Sequence, residues 1–279
     1  MTDVVDPPTA PGRAGRNLPA AIAVGVSLGA AIIGSVYSPA RWTFIAIVLA
    51  AILAGTVEVV RALRTLGAQP PLVPLLVGGT AMIVLGYRNG AEDLFLGFVL
   101  TVLGVVVWRL ADPVEGVLRD VTAAVFTAAY VPFLAGFAAL MTAPPDGPRR
   151  ITAFIATVVC SDVGGYAAGV LFGRHPMAPT VSPKKSWEGF AGSLFACAVA
   201  GGIFFVTLFD VPWWQGVLYG LCVVLSATLG DLGESMIKRD IGIKDMGNLL
   251  PGHGGIMDRL DSLLPTAPLA WLLLQAFVS

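Results

Sequence analysis

Nine stretches of this chain approach the length a helix needs to cross a bilayer, and this repetition constrains the fold more than any other feature. They lie at 18–37, 42–60, 71–87, 93–110, 120–141, 151–173, 189–209, 213–232 and 262–279. A hydrocarbon core takes about 20 apolar residues as a helix, and only helices or closed barrels satisfy their backbone hydrogen bonds there. The expected fold class is therefore all-α, a polytopic integral membrane protein with about nine transmembrane helices. Pro74, Pro265 and Pro268 interrupt the third and ninth stretches, a feature membrane helices tolerate when neighbours satisfy the freed backbone groups. Arg13 and Arg16 precede the first stretch in signal-peptide fashion, but the length of the run and the spans that follow favour an uncleaved helix. The residues are 56% hydrophobic and only 13% charged, whereas soluble domains carry about 25% charged residues. Residues 1–17 read as a disordered cytoplasmic tail, 18–150 as a scaffold of membrane helices, and 151–279 as the helices that carry the polar, catalytic loops.

Net charge is −1, so no basic field points to nucleic acid; the placement of charge is more informative. Nine spans put alternate loops on opposite sides. Of the seventeen Lys and Arg residues, thirteen then fall on the N-terminal side, and only Arg41, Arg88, Arg149 and Arg150 on the other. Cytoplasmic loops carry the excess of basic residues, so the N-terminus is expected in the cytoplasm of a cell (plasma or inner) membrane protein. Trp42, Trp108, Trp187, Trp213 and Trp214 fall near span ends, as interfacial belts require. The pairs Gly25/Gly29, Gly165/Gly169 and Gly216/Gly220 would allow close helix packing. Cys160, Cys197 and Cys222 lie in apolar runs without metal-ligand spacing and read as buried thiols.

The two most polar loops, 174–188 and 233–261, share the expected cytoplasmic face. From Gly230 to Ser262 the second holds Asp231, Glu234, Asp240, Asp245, Asp258 and Asp261 beside Lys238, Arg239, Lys244 and Arg259. If the eighth helix continues beyond the membrane, Asp231, Ser235 and Lys238 share one face of it. Asp258 and Asp261, three residues apart, project together where the ninth helix begins, and Asp261 or Ser262 would cap it. Between these pairs lies PGHGG, Pro251 to Gly255, in which Gly254 and Gly255 bring backbone N–H groups close to an anion and His253 is a phosphate donor. Carboxylates suit Mg²⁺ with substrate phosphates, and Lys and Arg suit phosphates directly. These are the parts for Mg²⁺-dependent phosphoryl or nucleotidyl transfer. GxxxxGK[ST], GxGxxG and HExxH are missing, which disfavours a P-loop, a Rossmann site and a zincin. The first loop contains SPKKSWEG, with Lys184 and Lys185 as phosphate contacts or a positive-inside anchor. Asp162 sits within the sixth span, where a carboxylate costs about 2.5–3.5 kcal/mol on insertion scales, so it is expected to face a wet cavity or a metal.

The run Ser235-Met-Ile-Lys238-Arg239, Lys244-Asp245, Pro251-Gly-His253-Gly254-Gly255 and Asp258-Arg259-Leu-Asp261 resembles the full signature of phosphatidate cytidylyltransferases, also called CDP-diacylglycerol synthases. Gly230-Asp231-Leu232, SPKKSWEG and SDVGGY also look like that family, so the resemblance covers 151–279, whereas 1–150 match only in being successive apolar helices. It implies Mg²⁺-dependent conversion of CTP and phosphatidate to CDP-diacylglycerol and pyrophosphate, in a cavity open to the cytoplasm of a homodimer. Carried over residue by residue, it places Mg²⁺ between Asp231 and Asp258, with a second, monovalent cation (K⁺) linked to the family. Lys238, Arg239, Lys244 and Arg259 would neutralise phosphates, Asp261 would hold the metal shell or orient Arg259, and Ser182, Lys184, Lys185 and Glu188 would form the cavity's other lip. Asp258 and Asp231 are expected to meet only through the metal, so Asp258→Asn is expected to spare the fold.

Rival readings differ in chemistry. A CDP-alcohol phosphotransferase also binds metal through Asp, but its DGxxAR…GxxxD…D pattern is not found, since Asp146-Gly147 runs into Pro-Arg-Arg. A lipid kinase would transfer the γ-phosphate. A transporter, the non-enzyme rival, would use Asp162 and the helix prolines but would not require a cytoplasmic Asp/Lys/Gly loop.

Overall fold

The computed structural model describes residues 27, 29–249 and 254–278. The tail 1–17, most of the first expected span (18–37), and Pro251 and His253 lie outside the described residues; residues 29–36 are helical. Eight helices long and apolar enough to cross a membrane follow. They are α1 (Trp42–Thr65), α2 (Leu72–Asn89), α3 (Ala91–Arg109), α4 (Val117–Thr142), α5 (Gly147–Phe172), α6 (Trp187–Phe209), α7 (Trp213–Ile241) and α8 (Met257–Phe277). Each matches an expected span, and the chain is a multi-pass, all-α membrane protein.

Large apolar side chains line the outside, with Phe195 at 74% and Leu171 at 71% exposure. In a soluble protein this would be a liability; here it is the lipid-facing belt. Inside, Leu75, Met82, Ile83, Leu94, Val131, Phe205, Tyr219 and Leu274 form one buried core across the helices. Trp42, Trp187 and Trp213 are each the first residue of a helix and exposed, in the interfacial position expected.

Three departures from regular crossing helices shape the site. The first is in α4, which widens into a π-turn over Ala129–Phe133. Pro132 lies inside it and has no N–H to donate, so the i→i−4 ladder cannot continue unbroken. The second is the length of α7, 29 residues. At 1.5 Å per residue it spans about 43 Å against about 30 Å of hydrocarbon. The expected span ended at 232, but Gly233 to Ile241 keep helical register and extend the helix until Gly242 terminates it with φ 80°. The third is the segment after α5. Expected as a loop, it contains a short antiparallel pair, β1 (Pro176–Ala178) and β2 (Ser182–Ser186), which adds strand to an all-α chain. Ser186 then caps α6 by accepting the Gly189 N–H at 3.1 Å.

Candidate active site

Side chains from α5, β2, α6 and α7 enclose a cavity of about 320 Å³. Asp162 and Ser161 line it from α5, Lys184 and Lys185 from β2, Ser193 from α6, and Thr228 and Asp231 from α7. Small residues make this space: Gly165, Gly169 and Gly189 also form its wall. Lys185 Nζ stands 2.5 Å from Asp231 Oδ2, an ion pair joining the hairpin to α7 across the cavity. Ser235, one turn further along α7, donates to Asp231 Oδ1 at 3.4 Å. Asp162 lies within Coulombic range of Asp231, Lys185 and Arg259, so the intramembrane carboxylate faces a polar cavity as its insertion cost demands.

A second cluster sits beside it. Lys238 Nζ donates to Asp258 Oδ1 at 2.8 Å and to Glu234 Oε1 at 3.2 Å. Asp258 Oδ2 accepts the backbone N–H groups of Met246 and Gly255, each at 2.9 Å. The carboxylate is thus a counter-ion and a loop anchor at once, buried at 8% exposure. Asp261 Oδ1 accepts the N–H of the adjacent Ser262 at 2.7 Å; Ser262 occupies the N-cap of Leu263–Phe277, and neither side chain makes the capping hydrogen bond expected of them. Asp261 feels the charges of Asp231, Asp162 and Lys238, which ties the two clusters into one electrostatic unit. Gly254 has φ +82°, which only glycine adopts without strain, and with a side chain it would press on Asp258 Oδ2.

The remaining expected residues divide. Arg239 Nε reaches the Val181 carbonyl at 3.4 Å and ties α7 to the hairpin. Glu188 accepts the N–H groups of Arg174 and His175 and pairs with His175 Nδ1 at 2.6 Å, so it braces the hairpin's base and does not line the cavity. Ser182 opens β2, and Lys244 is exposed on the loop after α7. Arg259 is exposed and in range of Asp162. Asp231 and Asp258 fall in the adjoining clusters with different partners, Lys185 for one and Lys238 for the other.

Three residues had no role in the reading of the sequence, Glu234 being named only among the acids of the second loop. Glu58 of α1 accepts the Ile256 and Met257 N–H groups at 3.1 and 2.9 Å. Its signal was available, a lone acid in the apolar run Thr56-Val-Glu-Val-Val60, but it fell at the end of an expected span, where acids are common. Glu234 is fully buried, with Oε2 unpaired. Tyr130 lies in the π-turn with a buried, unpaired hydroxyl in range of Glu234, Asp261 and Asp231; nothing in the local sequence marks it.

The family model described as "Cytidylyltransferase family" matches residues 19–277. The chain belongs to the cytidylyltransferase family. Among curated relatives, the phosphatidate cytidylyltransferase of Mycobacterium leprae (strain TN) is 48% identical over 280 residues, 94% of this chain and 89% of that protein. The phosphatidate cytidylyltransferase of Mycobacterium tuberculosis (strain ATCC 25618 / H37Rv) is 48% identical over 283 residues, 96% of this chain and 85% of that protein. The protein of the same name from Brucella suis biovar 1 is 40% identical over 146 residues, 50% of this chain and 54% of that protein. The family match therefore extends well beyond 151–279. Glu58 and Tyr130 give the N-terminal helices of this cytidylyltransferase-family chain a physical link to the site.

Proposed function

We propose that the chain is a phosphatidate cytidylyltransferase, transferring the cytidylyl group of CTP to the phosphate of phosphatidate with release of pyrophosphate. The observation that carries this reading is the cavity walled by Asp162, Lys184, Lys185 and Asp231, adjoining the Lys238–Asp258 pair. Relatives named phosphatidate cytidylyltransferase match nearly the whole chain.

The nucleophile is an oxygen of a phosphate monoester, already largely ionised near neutral pH because the second pKa of such groups is about 6. No strong general base is needed. The obstacle is bringing one anion onto another, so the work falls to positioning and charge neutralisation. Lys184 and Lys185 border the cavity from the hairpin and would hold the phosphates, with Arg259 in range of Asp162 beside them. Gly254 leaves the backbone bare beside Asp258 and would let a phosphate approach, whereas the space at Gly255 is filled by Glu58.

The donor chemistry fits Mg²⁺. The available groups are carboxylate oxygens, and among the described residues no three His, Cys, Asp or Glu side chains converge as a complete cage. Mg²⁺ characteristically takes one or two protein carboxylates and completes its shell with water and substrate phosphate oxygens. Asp231 and Asp258 would hold it, and Asp261 would support that shell; the ion would supply charge neutralisation to the reacting phosphates. A monovalent cation such as K⁺ would offset the further negative charge of Asp162 and Asp261. The chain is proposed to act as a homodimer in the cell (inner) membrane with the cavity open to the cytoplasm, which the basic-residue asymmetry supports.

The test is incubation of purified protein with labelled CTP, phosphatidate and Mg²⁺. A labelled lipid with stoichiometric pyrophosphate is expected; label transferred as phosphate alone would instead identify a lipid kinase.

A further inference from the structure

The backbone at Met246, Gly255, Ile256 and Met257 is held by two carboxylates with different duties. Asp258 uses Oδ2 to accept the Met246 and Gly255 N–H groups and Oδ1 to hold Lys238. A cation taken up by this carboxylate would compete with those bonds for its lone pairs. Glu58, from α1, accepts the Ile256 and Met257 N–H groups with its two oxygens, and it does not line the cavity. It is 2% exposed. Its seat is cut to fit. A Cβ on Gly255 would lie 2.6 Å from Glu58 Oε2, and one on Gly247 would overlap the same carboxylate, so both glycines leave room for Glu58.

We propose that Glu58 is a positioning residue of the active site, the permanent anchor of the catalytic loop, which keeps the first turn of α8 in place when the Asp258 carboxylate is drawn into the reaction. The inference rests on the cytidylyltransferase reading above. The physical basis is a division of labour between two charge-assisted sets of hydrogen bonds to one short backbone segment. Were Asp258 the sole anchor, engaging its carboxylate would release the backbone that positions it. With Glu58 on the very next residues, Asp258 can exchange partners while its Cα stays fixed. This also assigns a role to the N-terminal half: α1 carries the residue that holds a loop 198 positions downstream.

The experiment compares wild type, Glu58→Gln and Glu58→Asp in lipid nanodiscs. Amide hydrogen exchange of the peptide spanning 243–258 is measured alongside kcat, KM for CTP and thermal midpoint. Gln offers one acceptor oxygen and turns an NH₂ toward the second amide, so exchange in that peptide should accelerate about tenfold, the scale of one lost hydrogen bond. Turnover should fall about 10- to 100-fold, the scale of a displacement near 1 Å, with KM for CTP little changed. Glu58→Asp keeps the charge but shortens the reach, and should fall between. Wild-type exchange and wild-type kcat in Glu58→Gln would overturn the proposal. So would faster exchange in every helix with full turnover per folded molecule, the pattern of a merely structural residue. If Glu58→Gln does not fold, Gly247→Ala decides: its methyl displaces the same carboxylate from the loop after α7, and the same local exchange and loss of kcat must appear. Should the wild type make no CDP-diacylglycerol, the proposed activity fails while the exchange measurement still tests the anchor.

Discussion

At Lys238 one ammonium serves two carboxylates, Asp258 and Glu234, and the three groups have little access to solvent. Removing the cation leaves two buried like charges side by side, so Lys238→Met should destabilise the protein by about 3–5 kcal/mol. Adding Glu234→Gln should recover part of that loss, and thermal unfolding in detergent of the single and double variants checks both. An additive double variant would mean that Glu234 is not a counter-ion. The same contacts revise the expectation for Asp258→Asn. Register and motif placed Asp258 and Lys238 in the site, but their direct pairing depends on how α8 lands on α7, which no local pattern encodes. Asn has one acceptor oxygen where the carboxylate serves Lys238, Met246 and Gly255, so its NH₂ must face either an ammonium or an amide hydrogen. Asp258→Asn should therefore abolish turnover and also cost about 1–3 kcal/mol of stability. A wild-type rate at ordinary Mg²⁺ would remove Asp258 from the machinery.

Among the elements, the helices were legible from apolar run length because the bilayer sets that length physically. Their ends were less so: α7 passes the membrane boundary because helical propensity and Gly242, not hydropathy, decide where it stops. The hairpin escaped notice because Pro176–Ala178 and Ser182–Ser186 are too short and polar to alternate clearly. Of the small-residue pairs read from sequence, Gly165/Gly169 and Gly216/Gly220 mark seams, whereas a Cβ on Gly29 meets nothing within 4 Å and Gly25 lies outside the described residues. Gly165 packs on α6 at Ser193, and Gly216 and Gly220 pack on α6 at Gly201 and Cys197. Not every helix glycine does this, however. A Cβ on Gly192 would lie 2.7 Å from the Gly164 carbonyl oxygen, whereas one on Gly104 meets nothing within 4 Å. Gly192→Ala should push α5 and α6 apart at about 1–3 kcal/mol and lower turnover, since the cavity lies between these helices. Gly104→Ala should leave stability unchanged or raise it by about 0.5–1 kcal/mol through helix propensity. Thermal shifts in one detergent compare the two directly, and equal shifts would show that the seam is not close-packed.

For the whole molecule, the sequence yields a sidedness that the fold can be held against. Alternating helices gather the Lys185–Asp231 and Lys238–Asp258 pairs and the buried Arg109–Asp120 pair at one end of the bundle. At the other end Arg41 donates to the carbonyls of Pro144 and Pro145, Arg149 to that of Leu208, and Arg150 pairs with Asp146. The site end is thus also the end with the basic excess, and by the positive-inside tendency it should face the cytoplasm, where CTP is made available. Two exposed basic residues report the two ends: Lys244 on the loop after α7, and Arg88 in the last turn of α2. Single cysteines at these positions, in a chain whose Cys160, Cys197 and Cys222 are replaced by Ala, should respond oppositely to a membrane-impermeant maleimide. On intact cells the cysteine at 88 should label and the one at 244 should not. Opening the membrane should expose 244 while leaving labelling at 88 unchanged, which separates shielding by the bilayer from simple unreactivity. Both side chains are exposed, Lys244 on a loop and Arg88 one residue past the expected span that ends at 87, so both thiols are open to the reagent from their own side. Labelling of 244 from outside intact cells would invert the molecule, leaving the carboxylates and lysines of the cavity on the side away from the nucleotide pool, and with them the proposed reaction would fail.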